Sequence, residues 1–186
     1  MAKYTFEDLL EWNKHEHDYN RIVGEFINAA NVLENIATQY VVSNYVDTKD
    51  RAKTDEFMDA FIVRQEMTFQ RIVKLFYKIY KKNHGYCQVK NKDIINEANL
   101  KNIVWLRNIL AHSSFLMNTD TSQFRLHWFS SDSKLKKYNI DEHYNFSVPK
   151  QELLDTKKII IQTNHILVMN IVSPLKDYDF SDIKKS

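Results

Sequence analysis

The sequence predicts an all-α chain: a single up-and-down helical bundle with a small hairpin or lid inserted before the last helix. Three observations lead there. The 186 residues include only two glycines and two prolines, and strand-rich folds and glycine-rich phosphate loops need more of both. Apolar residues recur at steps of three and four over most of the chain, which is the helical period. Residues 119–147 break this period. The length suits one domain (1–186) with a sizeable core, and no repeat, linker or low-complexity segment divides it.

The elements follow in order. Residues 1–16 read as a short amphipathic helix, with Thr5 as N-cap before Phe6, Leu9, Leu10 and Trp12. From about Asp18 to Val46, Ile22, Phe26, Ala29, Leu33, Ile36, Ala37 and Tyr40 mark one long helix. The polar stretch 47–54 is the first clear loop. A second long helix is expected from Thr54 to Lys82, with Thr54 as N-cap and Asp55 and Glu56 favourable to the dipole. Gly85 stops it. Lys74, Lys78, Lys81 and Lys82 cluster near its end; the plainer reading is a solvated basic terminus, the other a contact to an RNA backbone.

After a connector at 86–92, a further helix starts near Asp93 and runs to Phe115–Asn118. Phe124, Leu126 and Trp128 then alternate with Arg125, His127 and Phe129, a strand period that His143–Phe146 can pair with. Pro149 suits the first turn of a last helix that reaches Val172, with Leu153, Ile160, Ile161, Ile166 or Leu167, and Met169 facing inward. The tail 173–186 is polar and expected to be loosely ordered.

Composition excludes several classes. With 26 basic and 24 acidic residues the net charge is +2. A general nucleic-acid coat is not indicated, so RNA binding has to come from a local patch. A single cysteine, Cys87, allows no internal disulfide and fits a reducing cytosol. No apolar stretch resembles a signal peptide or is long enough to span a bilayer, so a cytoplasmic protein with no membrane partner is expected. His15 and His17 flank Glu16, but on a helix they point apart. No cluster near the motif below has convincing metal-ligand spacing, and no cofactor is expected.

That motif is Leu106-Arg107-Asn108-Ile109-Leu110-Ala111-His112-Ser113. Trp105, Leu106, Ile109, Leu110 and Ala111 belong in a core. Arg107, Asn108 and His112 cost several kcal/mol there unless paired. At about 100° per residue, Asn108 and His112 lie about 40° apart and share a face, while Arg107 and His112 lie about 140° apart. Three arrangements repair this. The helix ends or distorts near His112, the arginine reaches around on its long stem, or two copies of the chain meet along this helix.

Arginine with histidine suits metal-free RNA cleavage. The guanidinium is a fixed fork for a phosphate and for its transition-state charge. The imidazole moves protons near neutral pH. The 2′-hydroxyl as nucleophile selects RNA over DNA.

Arg107 to His112 resembles the R-x(4–6)-H signature of HEPN-domain ribonucleases, with the polar residue Asn108 directly after the arginine. The string LRNILAHSSFLMN is similar to the motif of the Abi-like (abortive infection) branch through Leu106-Arg107-Asn108, Ala111-His112, Leu116 and Asn118. The resemblance implies an all-helical homodimer and a metal-independent endoribonuclease site at the dimer interface. It also implies a role in toxin–antitoxin or phage-defence systems, with an antitoxin or regulatory protein as a further partner. Arg107, Asn108 and His112 are the catalytic candidates, with RNA as substrate. Ser113 and the loop lysines Lys134, Lys136 and Lys137 are the candidate RNA contacts. Aromatics beside lysines stack bases or pack an insertion onto a bundle, and both readings stay open. Two other functions compete. One is a catalytically silent HEPN-like module that dimerises or binds nucleotide or RNA. The other is a DNA-binding helical regulator, which the weak net charge disfavours.

Overall fold

The computed structural model describes residues 5–47, 49–63, 67–84, 94–116, 120–128, 138, 140–141 and 143–172. Helices dominate, and a small three-stranded antiparallel sheet accompanies them. The all-α expectation therefore holds coarsely, but the chain is not a pure helical bundle.

Helix α1 (Phe6–Ser43) is continuous where two helices were expected, at 1–16 and 18–46. Nothing between Glu11 and Arg21 breaks a helix, and no proline falls in the element. Thr5 caps it as expected. The Asp8 amide donates to Thr5 Oγ1 at 3.1 Å, and the Thr5 amide donates to Asp8 Oδ2 at 2.7 Å.

The expected helix from Thr54 to Lys82 is interrupted. Helix α2 (Arg51–Phe57) gives way to a π-helical segment, Met58–Val63, and helix α3 (Phe69–His84) follows. The Met67 amide donates to the Ile62 carbonyl at 3.1 Å, a spacing of five residues that breaks the α period. Asp50, not Thr54, caps α2 by accepting from the Lys53 amide. Thr54 lies inside the helix and donates its hydroxyl to the Asp50 carbonyl. Gly85, the connector 86–92 and the tail lie outside the described residues.

Helix α4 (Glu97–His112) starts later than expected, capped by Asn96, whose Oδ1 accepts from the Asn99 amide at 2.8 Å. It also ends earlier. Strand β1 (Ser113–Leu116) follows without a loop, where helix was expected to run on. Strands β2 (Gln123–Trp128) and β3 (Asn145–Pro149) complete the sheet in the order β1-β2-β3. The expected hairpin is thus the outer part of a meander that begins at the motif. Helix α5 (Lys150–Val172) starts one residue after Pro149, which closes β3.

The chain packs as two units. The first comprises Met1–Ala30 and Asn102–Ile159. Its sheet has an apolar face of Phe124, Leu126, Phe146 and Val148, all buried. Arg125, His127, Asn145 and Ser147 take the alternate positions. His15 and Tyr19 of α1 lie against Phe115 and Phe124, with ring centroids 4.6–5.5 Å apart. Lys150 at the start of α5 reaches Asp18 at 2.8 Å, and Lys157 reaches Glu25 at 2.5 Å. The lysines hold the carboxyls of Asp18 and Glu25 below the usual range.

The second unit comprises Asn31–Lys101 and Ile160–Ser186. Tyr40, Phe76 and Tyr80 meet as a buried aromatic group. Asn83 donates to Asn44 at 2.6 Å beside it. The other face of α3 is exposed and cationic, with Arg71, Lys74, Lys78, Lys81 and Lys82. Ile161 and Met169 of α5 were expected to face inward but are more than half exposed.

Candidate active site

The apolar face of α4 is as the sequence reads. Leu106 is fully buried and Ile109 and Leu110 nearly so. Ala111, expected in the core, is exposed, and Trp105 is only half-buried. The Trp105 ring stacks on Tyr138 at 5.2 Å, almost parallel. Tyr138 donates its hydroxyl to Glu152 Oε1 at 2.9 Å. Burial and the Glu152 carboxylate push that phenol well above its ordinary range.

The polar trio divides. Arg107 and Asn108 are half-buried, and Arg107 Nη1 donates to Asn108 Oδ1 at 3.2 Å. Neighbours in a helix point about 100° apart, so the bond exists because the arginine stem folds around the helix. His112 is exposed and is the last residue of α4. Its ring meets Trp128 edge to face, with centroids 6.2 Å apart and planes at 75°. Trp128 ends β2 and pairs in register with Ser113. The angle of about 140° between Arg107 and His112 belongs to an uninterrupted helix. Both residues lie within α4, so that separation holds and the two side chains leave the helix in different directions.

Ser113 turns the chain from helix to strand. Its hydroxyl donates to the Ile109 carbonyl at 2.6 Å and satisfies one of the last acceptors of α4. Lys134, Lys136 and Lys137 lie outside the described residues. The structure thus joins Arg107 to Asn108 and His112 to Trp128.

A second polar group on the sheet has no place in the motif. Asn145 Nδ2 donates to Asp141 Oδ2 at 3.0 Å, so its Oδ1 is the atom facing His127 Nδ1 at 3.0 Å. Arg125, two residues along the same face of β2, reaches Asp141 at 3.4 Å. Backbone donation from Asn145, the largest of several hydrogen bonds, holds the Asp141 carboxyl at about 2. The strand alternation placed His127 beside Arg125 in sequence, but Asn145 lies 18 residues away and only the strand register brings it there.

Among the described residues, no three potential metal ligands cluster. His15 and His17 point apart, as expected: His15 is buried against Gln123, and His17 is exposed. Among the described residues, no helix is long and apolar enough to cross a membrane. Chemically, the first unit offers a guanidinium held by an amide, an exposed imidazole at a helix end, and a second imidazole held by an amide that a carboxylate holds in turn. No family model matches the chain, and no curated protein or solved structure matches it.

Proposed function

We propose that the chain is a metal-independent endoribonuclease of a toxin–antitoxin or phage-defence (abortive infection) system, with Arg107, Asn108 and His112 as its catalytic side chains. One observation carries the reading. An exposed histidine ends α4 little more than one turn after a hydrogen-bonded Arg107–Asn108 pair. The resemblance of Arg107 to His112 to the HEPN signature supports it. In the reaction the ribose 2′-oxygen attacks the adjacent phosphorus and the bond to the 5′-oxygen breaks. A proton leaves the 2′-hydroxyl and another reaches the departing 5′-oxygen. His112 moves a proton, Arg107 stabilises the charge on the phosphoryl oxygens, and Asn108 orients the guanidinium. The active species is a homodimer in which two copies of α4 share the cleft.

The test uses purified full-length chain on labelled tRNA and mRNA, with and without chelator. Cleavage that survives chelator and leaves 2′,3′-cyclic phosphate ends is the expected result, with His112→Ala inactive and the protein dimeric by light scattering at micromolar concentration. Cleavage lost to chelator and restored by Mg²⁺ overturns the mechanism. A second reading draws on the same bond. Arg107 and Asn108, half-buried and hydrogen-bonded to each other, serve as a structural network in a silent dimerisation or RNA-binding module. In that case variants at either position unfold, and wild-type protein cleaves no RNA.

A further inference from the structure

We infer that the cationic face of α3 binds the phosphate backbone of a single RNA strand; RNA as the ligand is taken from the ribonuclease reading above. Arg71, Lys74, Lys78, Lys81 and Lys82 are all exposed, and the 16 residues of α3 include no acid. The whole chain is nearly balanced, with 26 basic and 24 acidic residues, so this charge is local. At about 100° and about 1.5 Å per residue, the five side chains leave the helix within a sector of about 100° and over about 16 Å of its axis. Ile72, Val73, Phe76, Ile79 and Tyr80 take the opposite side and are buried. They fix the rotation of the helix, so the stripe stays turned outward. Among the described residues, no carboxylate pairs with Lys78 or Lys82. Glu97 lies close enough for Lys74 and Lys81 to act on it, but Lys101 already pairs with it at 2.6 Å.

The helix dipole does not account for this stripe. It favours Lys81 and Lys82 in the last turn, but Arg71 lies in the first turn, at the positive end, where a cation is disfavoured. Lys74, Lys78, Lys81 and Lys82 are also like charges three and four residues apart, which costs the helix stability. An extended polyanion relieves both costs, because its phosphates neutralise the whole row and release their counterions. An anionic membrane is a poorer match. A basic amphipathic helix lies on a bilayer by inserting its apolar face, and that of α3 is already in the core. Tyr77, half-buried, is one turn from both Lys74 and Lys81 and sets an aromatic side chain beside the stripe. Single strands stack bases on such rings between their backbone contacts.

The stripe belongs to the second unit and Arg107, Asn108 and His112 to the first, so separate substitutions address binding and cleavage. The test is the Kd of full-length protein for a short labelled single-stranded RNA over a range of salt, in a His112→Ala background that keeps the RNA whole. Lys74→Gln, Lys78→Gln and Lys82→Gln together are expected to raise Kd at least about tenfold, equally for RNAs of different sequence, and to reduce the salt slope by about 2. The same three positions changed to Arg are expected to retain affinity and slope. Lys14→Gln, Lys53→Gln and Lys158→Gln together remove the same charge from exposed lysines elsewhere and are expected to leave Kd within about twofold. Equal weakening by the two glutamine sets makes net charge the cause and overturns the proposal, as does an α3 set that binds RNA like its parent. An α3 set that loses only binding to anionic vesicles assigns the stripe to a membrane and also overturns it. Wild-type protein that cleaves no RNA, with stripe-dependent binding intact, overturns the ribonuclease reading and leaves the RNA surface standing.

Discussion

His15 Nε2 lies 3.1 Å from the carbonyl oxygen of Gln123, joining α1 to the first residue of β2. A carbonyl only accepts, so Nε2 carries a hydrogen. Nδ1 is buried without a hydrogen-bond partner among the described residues. Burial first, and the Lys150 charge second, hold this imidazole below its ordinary pKa. The unfolded chain then binds more protons than the folded one between the two values, so stability rises with pH there. The contribution is present above about 6.5, the ordinary imidazole value, and is lost as pH falls through the folded value. His15→Leu should flatten this part of the curve of melting temperature against pH. At neutral pH it should cost about 0.5–1.5 kcal/mol for the lost bond to Gln123. A wild-type curve flat over that window, matching the variant, contradicts the account.

Asp141 supports a different window. It accepts from the amides of His143 and Asn145 and from the side chain of Asn145. The turn it organises holds Tyr144 at φ 60°, in the left-handed region. Its carboxyl, depressed to about 2, contributes stability above the ordinary carboxylate range that is lost as pH falls through 2. Asp141→Ala is therefore less stable than wild type at neutral pH, and the two converge near pH 2. Chemical denaturation at several pH values checks this, and a constant difference between them excludes it.

Burial separates core from chemistry within α4. Leu106 is fully buried, so Leu106→Ala should cost about 2–5 kcal/mol. His112 is exposed, so His112→Ala should change stability by no more than about 0.5 kcal/mol. Its RNA cleavage should nevertheless fall by about 10²–10⁴-fold. Melting and cleavage measured on the same samples decide this, and a stable His112→Ala that still cleaves rules out the site.

Arg107 and Asn108 should differ in severity. Arg107→Lys retains the charge but loses the planar fork and its bond to Asn108, so cleavage should be severely impaired. Asn108→Ala removes an orienting acceptor and no proton carrier, so its loss of kcat should be smaller than that of His112→Ala. Equal losses in both variants point instead to collapse of a shared network, which a drop in melting temperature would reveal.

Much of the fold can be read locally. The scarcity of glycine and proline and the three-four spacing of apolar residues identify the helices, because helical periodicity is a property of neighbours in sequence. The capping role of Thr5 follows from its own side chain, and the alternation Phe124–Leu126 around Arg125 identifies a strand. The motif can also be read as polar groups in an apolar run. Positions that depend on distant partners cannot be read this way. Ser113–Leu116 continues a helical pattern in sequence, yet it pairs with Arg125–Trp128, and Phe115 packs on His15 and Tyr19. Strand pairing of Ser113–Leu116 with Arg125–Trp128, residues well beyond helical range, decides where α4 ends, and so leaves His112 on Trp128.

The sequence by itself determined that the chain is mostly helical, that residues around Phe124–Trp128 leave the helical period, and that Arg107, Asn108 and His112 sit together in the chain. The tertiary structure decided that α1 is one helix, that a π-helical segment interrupts the run before α3, and that His127 meets Asn145. The physical reason is range. Helical propensity and capping act over four or five residues, whereas sheet register and side-chain packing are set by groups far apart in the chain and are specified only once both are in place.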